Sequence, residues 1–163
     1  MLIVYIINTP LGDANVIFDT DGALTYFTLG TSEHNVSDPE IGMHSRALRV
    51  LRRELDAYFA GTLQEFTVPI APLGTVFQRC VWSALRRIPY GSTCTYGELA
   101  RQINNPGAMR AVGGANGANP IWLIVPCHRV VRGDGLGGYA GGVDRKAWLL
   151  HHEATFARVT FPS

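Results

Sequence analysis

The apolar pattern of this chain changes period near Ala71-Pro72-Leu73-Gly74, and that change limits what can fold on either side. Upstream, three short β-prone runs at residues 2–7, 15–18 and 23–29 are separated by Leu11-Gly12-Asp13 and Asp21-Gly22, both good turn chemistry. Residues 30–39 are polar and read as a loop. Over residues 44–59, apolar side chains recur at Leu48, Leu51, Leu55 and Phe59 with Arg and Glu between them, which makes one buried face of a helix. Gly61 is its natural stop. Residues 65–70 read as a further strand. The expectation for residues 1–72 is an antiparallel sheet followed by a helix, and no internal repeat is visible.

Downstream, Thr75 can cap a helix running to about residue 87, with Phe77, Val81, Trp82 and Leu85 inward and Pro89-Tyr90-Gly91 ending it. Thr95 and Glu98 form a capping box for a second short helix, whose apolar side is Leu99 and Ile103. Pro106 suits the first turn of a third helix that runs toward Gly117, because proline is tolerated where the amide has no partner. Two short helices with a brief link suggest a helix-turn-helix arrangement, the third helix being the reader. That helix has few side chains. Gly107, Ala108, Ala111, Gly113, Gly114, Ala115, Gly117 and Ala118 are all small, although each glycine costs a helix interior about 0.5–1 kcal/mol relative to alanine. Such a helix can lie close against another protein element, or against the wall of a nucleic-acid groove; the minor groove, about 6 Å wide, excludes long side chains. Arg110 is its one long charged side chain.

With 163 residues, 47% hydrophobic and 17% charged, the chain can build a packed core and is neither disordered nor collagen-like. Residues 2–7 are too short an apolar run to span a bilayer, and no basic stretch precedes them; a soluble cytoplasmic protein is expected. Cys80, Cys94 and Cys127 form no CxxC pair and their odd number argues against a disulfide framework. The net charge of +1 hides an asymmetry: residues 1–70 carry four Arg against nine Asp or Glu, and residues 71–163 carry ten Lys or Arg against four. Any contact with a polyanion belongs to the second half. Of the 14 basic residues 13 are Arg, whose fork suits phosphate and base edges.

Residues 121–125 are a continuous apolar run, read as a buried, strand-like lead-in that delivers Pro126-Cys127-His128-Arg129. Cys80 and Cys94 read as small hydrophobes. Cys127 differs, since His128 and Arg129 flank it and a glycine-rich loop over residues 133–142 follows; an electropositive neighbourhood lowers a thiol pKa, and only the thiolate attacks. Complete ionisation of an ordinary thiol raises its reactive fraction only about 30-fold, near 2 kcal/mol, so most rate enhancement must come from placement and from help for the leaving group. Tyr96, Tyr139 and loop amides are the available donors. Asp144 can cap a last helix carrying Trp148 and Leu149 and ending near His151-His152-Glu153, where Glu153 can polarise a histidine that takes the proton from Cys127. The histidines at 34, 44, 128, 151 and 152 lack zinc-ligand spacing, so no metal is expected.

Val125-Pro126-Cys127-His128-Arg129-Val130-Val131 resembles the active-site signature of the O6-alkylguanine-DNA alkyltransferases, proteins that move an alkyl group from damaged DNA onto their own cysteine. In order around it stand Val81-Trp82, Ile88-Pro89-Tyr90-Gly91, Thr95-Tyr96-Gly97-Glu98-Leu99-Ala100, Arg110-Ala111-Val112-Gly113-Gly114-Ala115-Asn116, Asn119-Pro120, Gly137-Gly138-Tyr139 and Leu149-Leu150-His151-His152-Glu153. The resemblance covers nearly all of residues 75–153. It implies an α/β chain with a ribonuclease-H-like N-terminal domain at 1–72, a β-sheet with a helix. The C-terminal domain at 73–163 is then mainly helical and winged helix-turn-helix-like.

By that resemblance Cys127 is nucleophile and acceptor, His128 reaches it through a water, and Glu153 orients His128. Tyr96 crowds the phosphate, rotates the nucleotide outward and helps neutralise the departing guanine. Arg110 fills the vacated place in the duplex, Ala111, Gly114 and Ala115 meet the groove, and Asn119 holds the active-site turn. Tyr139, Ala140, Trp122 and Val130 belong to the substrate pocket. The implied partner is double-stranded DNA, read in the minor groove by a monomer that flips the alkylated base, and no cofactor is required. Three positions depart from the family pattern. Ala140 replaces a common serine, leaving only a backbone amide; the N-terminal half lacks the cysteines that hold zinc in some relatives; and Trp122 stands where smaller residues are usual, so large adducts such as benzyl are expected to react poorly. Two other classes compete: a non-catalytic alkyltransferase-like protein, which would lack the acceptor cysteine, and a cysteine hydrolase.

Overall fold

In the computed structural model, residues 3–30 and 42–157 are described; the polar loop expected at 30–39 lies outside them apart from Gly30. The expected strands form a meander in the order β1 (Tyr5–Thr9), β2 (Gly12–Phe18), β3 (Leu24–Leu29). Both pairings are antiparallel, Tyr5 facing Val16 and Ala14 facing Leu29, with a register irregularity between Ile17 and Phe18. Strand alternation turns Tyr5, Ile7, Ala14, Val16, Phe27 and Leu29 inward. The expected helix, α1 (Ser45–Phe59), lays Leu48, Leu51, Leu55 and Tyr58 on that core, each such burial contributing about 1.5–3 kcal/mol. At Gly61 the backbone turns to φ +82°, and a Cβ there would fall 2.2 Å from the Phe156 ring, so glycine is required.

The strand expected at 65–70 is absent apart from a single bridge between Leu24 and Ile70. The amides that would build it are taken elsewhere. Thr67 and Val68 donate to the buried carboxylate of Glu54, both at 2.8 Å, and Pro69 has no amide to give. The outer edge of β3 is nonetheless covered. Leu24 donates to Pro69 O and accepts from Ala71 N, both at 2.8 Å; further along, Phe27 donates to Pro120 O at 2.9 Å and Trp122 donates to Phe27 O at 2.8 Å. The second of these contacts ties the sheet directly to the segment that leads into Cys127.

The second half is mainly helical. After the Thr75 capping box comes α2 (Val76–Leu85), shorter than expected, with Arg86 as its C-cap. Next come β4 (Cys94–Thr95), α3 (Tyr96–Gln102), capped by the expected Thr95–Glu98 box, and α4 (Met109–Gly117). Pro106 opens a 3-10 turn, Pro106–Ala108, that leads into α4. A second 3-10 turn, Cys127–Arg129, precedes β5 (Val130–Val131), which pairs in parallel with β4; α5 (Val143–Phe156) closes the described chain. Asp144 is not the cap of α5. Gly142, at φ +94°, holds that position, and Asp144 lies in the first turn, where its charge suits the helix dipole. The fold is mixed α/β, and no helix among the described residues is long and apolar enough to cross a membrane.

Candidate active site

The apolar run at 121–125 is buried, as expected, but it is a tight turn and not a strand. Leu123 adopts φ +72°, Ile124 donates to Trp122 O at 2.8 Å, and Val125 donates to Ile121 O at 3.1 Å. Asn119 closes this turn with both ends of its amide, Nδ2 donating to Val125 O at 2.8 Å and Oδ1 accepting from Ile121 N at 3.0 Å. Beyond the turn, Cys127 N donates to Val125 O at 2.8 Å, and Val130 is locked against Cys94 in the short parallel ladder. The backbone of Cys127 is thus fixed from both sides.

Glu153 lies at the centre of a buried charged cluster. Its carboxylate accepts from Tyr58 Oη at 2.8 Å, His128 Nε2 at 2.7 Å, and Arg129 Nε and Nη2, both at 2.9 Å. Burial pushes its pKa up, but His128 and Arg129 outweigh that and hold it down to about 2. Arg129 also donates Nη1 to Ile88 O at 2.8 Å and sits over the Tyr90 ring. Burial lowers the pKa of His128, while Glu153 pulls it upward. With Nε2–H committed to Glu153, the neutral ring presents the lone pair of Nδ1, which is buried and has no partner. His152 is spent on the Tyr58 carbonyl at 2.8 Å, and His151 is exposed, so neither joins the relay.

Cys127 is 4% exposed, and burial pushes its thiol up to about 11, against smaller lowering by Asn119, by Lys146 and by backbone donors. The expected electropositive activation is therefore outweighed by burial of the thiol, and Arg129 is paired with Glu153. Lys146 supplies the cationic lowering. It is fully buried, and its ammonium donates to Val130 O at 2.6 Å and Gly138 O at 3.0 Å, joining the cysteine strand to the glycine-rich loop.

A cavity of about 300 Å³ opens at Cys127, at the small end of the ~300–1,000 Å³ range of ligand pockets. Tyr96, Asn116, Tyr139 and Ala140 line it, with Gly113, Gly117 and Gly138. Burial raises the pKa of Tyr96, and the amide of Asn116 lowers it. Trp122 and Val130, expected in the pocket, do not line it: Trp122 packs behind Tyr139 at 5.8 Å between ring centroids, and Val130 is buried in β5. Beside the cavity, and sharing Tyr96 and Gly113 with it, runs a groove of about 600 Å³ that Met109, Arg110 and Arg132 also line.

A Cβ at Gly107, Gly114 or Gly117 would meet nothing within 4 Å, so packing inside the chain does not require these glycines. Ala111, Gly114 and Arg110 are exposed on this open side. Ala115, expected there, is instead buried; helical periodicity turns Val112, Ala115 and Asn116 inward, and Trp82 Nε1 donates to Ala115 O at 2.8 Å. Four residues of the site were not singled out from sequence: Tyr58, Lys146, Asn116, and Arg129 as the partner of Glu153. For Asn116 a signal existed, since residues 113, 116 and 117 share one helix face.

Comparison with known proteins agrees with this geometry. The family model described as 6-O-methylguanine DNA methyltransferase, DNA binding domain, matches residues 76–155. A methylated-DNA--protein-cysteine methyltransferase of Methanosarcina acetivorans is 46% identical over 152 residues, covering 92% of this chain and 97% of the relative. One from Salmonella typhimurium is 59% identical over 105 residues, covering 63% of this chain and 61% of the relative. The crystal structure of Mycobacterium tuberculosis O6-methylguanine methyltransferase matches with a TM-score of 0.82 at 42% identity, covering 98% of this chain and 97% of that one. The same organism's OGT in complex with DNA matches with a TM-score of 0.81 at 44% identity, over 94% and 93%. A relative this similar over nearly its whole length places the chain in the methylated-DNA–protein-cysteine methyltransferase family.

Proposed function

We propose that Cys127 accepts the alkyl group of O6-alkylguanine in duplex DNA, in one irreversible displacement per molecule. The observation that carries this reading is the cavity that joins the Cys127 thiol to Tyr96 and to the glycines of α4. In the reaction the Cys127 proton passes toward the free Nδ1 of His128, through a water, while Glu153 stabilises the imidazolium through Nε2. Sγ bonds to the methyl carbon as the C–O6 bond breaks. The oxygen left on the base returns to the keto form as the ring takes up a proton, with Tyr96 supplying a hydrogen bond. S-methylcysteine and guanine are the products, and a thioether is too poor a leaving group to reset the protein.

Residues 73–163 act as the DNA-binding and acceptor unit, winged helix-turn-helix-like, with α4 as the helix that enters the minor groove; residues 1–72 form the ribonuclease-H-like unit. Chemistry on a stacked base requires extrusion, which costs a few kcal/mol, and Arg110 offsets part of that by filling the gap. Its exposed position beside the groove and the open glycine face of α4 support this geometry. The protein acts as a monomer on duplex DNA. Counting methyl groups tests the scheme. Incubation with excess methylated duplex yields one methyl per protein molecule and then stops, whereas continued release of methanol, or turnover of a simple ester, would mark a cysteine hydrolase instead.

A further inference from the structure

The carboxylate that orients His128 is held in part from the other half of the chain. Glu153 Oε1 accepts three hydrogen bonds, from His128 Nε2 at 2.7 Å, Tyr58 Oη at 2.8 Å and Arg129 Nη2 at 2.9 Å, whereas Oε2 accepts from Arg129 Nε. Tyr58 lies on α1, 95 positions away in sequence. Among the described residues it is the one upstream of Ala71-Pro72-Leu73-Gly74 that bonds Cys127, His128 or Glu153 through a side chain. Its position is fixed independently of that bond. The Tyr58 carbonyl accepts from His152 Nε2 at 2.8 Å and from Gly61 N at 3.0 Å. The ring is fully buried against Phe59, Phe66, Tyr90 and His152, at centroid distances of 5.2–6.1 Å. Packing seats the ring, and the hydroxyl adds the bond to Glu153.

That bond has a chemical consequence, because Tyr58 and His128 share one oxygen. A donor that draws the charge of Oε1 toward itself leaves less for an imidazolium at the same atom, and so lowers the proton affinity of His128. A base must be neutral before it can take the proton of Cys127. The other groups that reach the pair are Arg129 and Lys146, whose charges lower the His128 pKa, and Tyr90 and Tyr139, which sense the Glu153 charge while their own hydroxyls have no partner. We propose that Tyr58 is a positioning residue for the transfer reaction, its hydroxyl occupying the carboxylate oxygen that binds His128 Nε2 and thereby keeping that imidazole neutral and ready to accept the cysteine proton. The first half of the chain then sets the pH range in which the second half reacts. The proposal deepens the reading in which Cys127 is the acceptor and His128 its base, and rests on it.

The test is the pH dependence of single-turnover methyl transfer from O6-methylguanine in saturating duplex DNA, from about pH 4 to pH 8, the span around an ordinary histidine pKa. Wild type loses rate on the acid side as His128 becomes protonated. In Tyr58→Phe the midpoint of that limb moves up by about one pH unit, the equivalent of one net hydrogen bond. Site-specific replacement of Tyr58 by 3-fluorotyrosine, a stronger donor, moves it down. Burial and the Glu153 charge hold the Tyr58 pKa well above its ordinary value, so the fluorinated hydroxyl keeps its proton. Protonation of the DNA is common to all three proteins and cancels in the comparison. Coincident midpoints overturn the proposal and leave Tyr58 a packed aromatic; shifts in the same direction for both replacements overturn it as well. Where Tyr58→Phe does not fold, the fluorotyrosine protein decides alone, by a downward shift or by none. A wild-type rate with no acid limb, or no transfer to Cys127, removes the underlying reading instead, and is distinguishable because it shows in wild type without any replacement.

Discussion

Two neighbouring regions of this molecule treat buried polar atoms in opposite ways. Around Glu153 both carboxylate oxygens are partnered, by Tyr58, His128 and Arg129, and Arg129 is itself satisfied by Glu153 and the Ile88 carbonyl. By contrast Asn116 Oδ1, Tyr139 Oη and His128 Nδ1 are buried without partners, and Asn116 and Tyr139 line the cavity. A closed network positions its members, and an open set waits for a ligand. His128 belongs to both regions, anchored at Nε2 and free at Nδ1, and this division lets one buried imidazole be rigid and still exchange a proton.

Breaking the closed region should have the largest effect. Glu153→Gln leaves Arg129 buried without its counter-charge and should destabilise the protein by about 3–5 kcal/mol, measured by urea unfolding at neutral pH. The pH dependence sharpens this prediction. Because the folded pKa of Glu153 is depressed from 4.5 to about 2, its contribution is fully present above pH 4.5 and is lost as pH falls through 2. The gap between wild type and variant should close over that window; a gap that stays constant from neutral pH into strong acid contradicts the network.

The open region makes a prediction about reactivity. With its pKa pushed up to about 11, the Cys127 thiol of the DNA-free protein should react with iodoacetamide about a hundredfold more slowly at pH 7 than an ordinary cysteine. Its rate should keep climbing through pH 10. Peptide mapping separates it from the exposed Cys80, and a plateau below pH 8 would show instead that the thiol is already activated. Arg110→Ala comes next in size. It should slow transfer from duplex DNA by about tenfold or more and transfer from a single strand much less, because an unstacked base needs no replacement; equal slowing on both substrates contradicts the insertion role. The smallest effect concerns adduct size. Trp122 buttresses Tyr139, and a Cβ at Gly141 would lie 2.8 Å from Tyr139 and 3.0 Å from Trp122, so that wall of the cavity is tightly packed. Benzylguanine in DNA should react a few-fold more slowly than methylguanine, with Trp122→Ala narrowing the difference. Equal wild-type rates count against it.

Local signals made much of this legible beforehand. The period-2 runs and their turns located the meander, helical periodicity located α1, and the Thr95–Glu98 box marked the start of α3. Cys127, His128 and Glu153 were named from a motif; His128 is hydrogen-bonded to Glu153, and Cys127 lines the cavity. What escaped depends on contacts between distant residues. Residues 121–125 are apolar in either a strand or a tight turn, and only the amide of Asn119 decides between them. The strand at 65–70 was lost to a carboxylate on another element. The sign of the Cys127 shift was misjudged because flanking charge is visible in sequence, whereas its neutralisation by Glu153 and the burial of the thiol are not. Lys146 was not singled out for the same reason, and the fold buries it completely.

The most direct test transfers a labelled methyl group from O6-methylguanine in duplex DNA and locates it by peptide-resolved mass spectrometry. The label should lie on the peptide bearing Cys127, as S-methylcysteine, in wild type, and no label should be retained by Cys127→Ser. Label on Cys80 or Cys94, or equal labelling of the serine variant, would contradict the account.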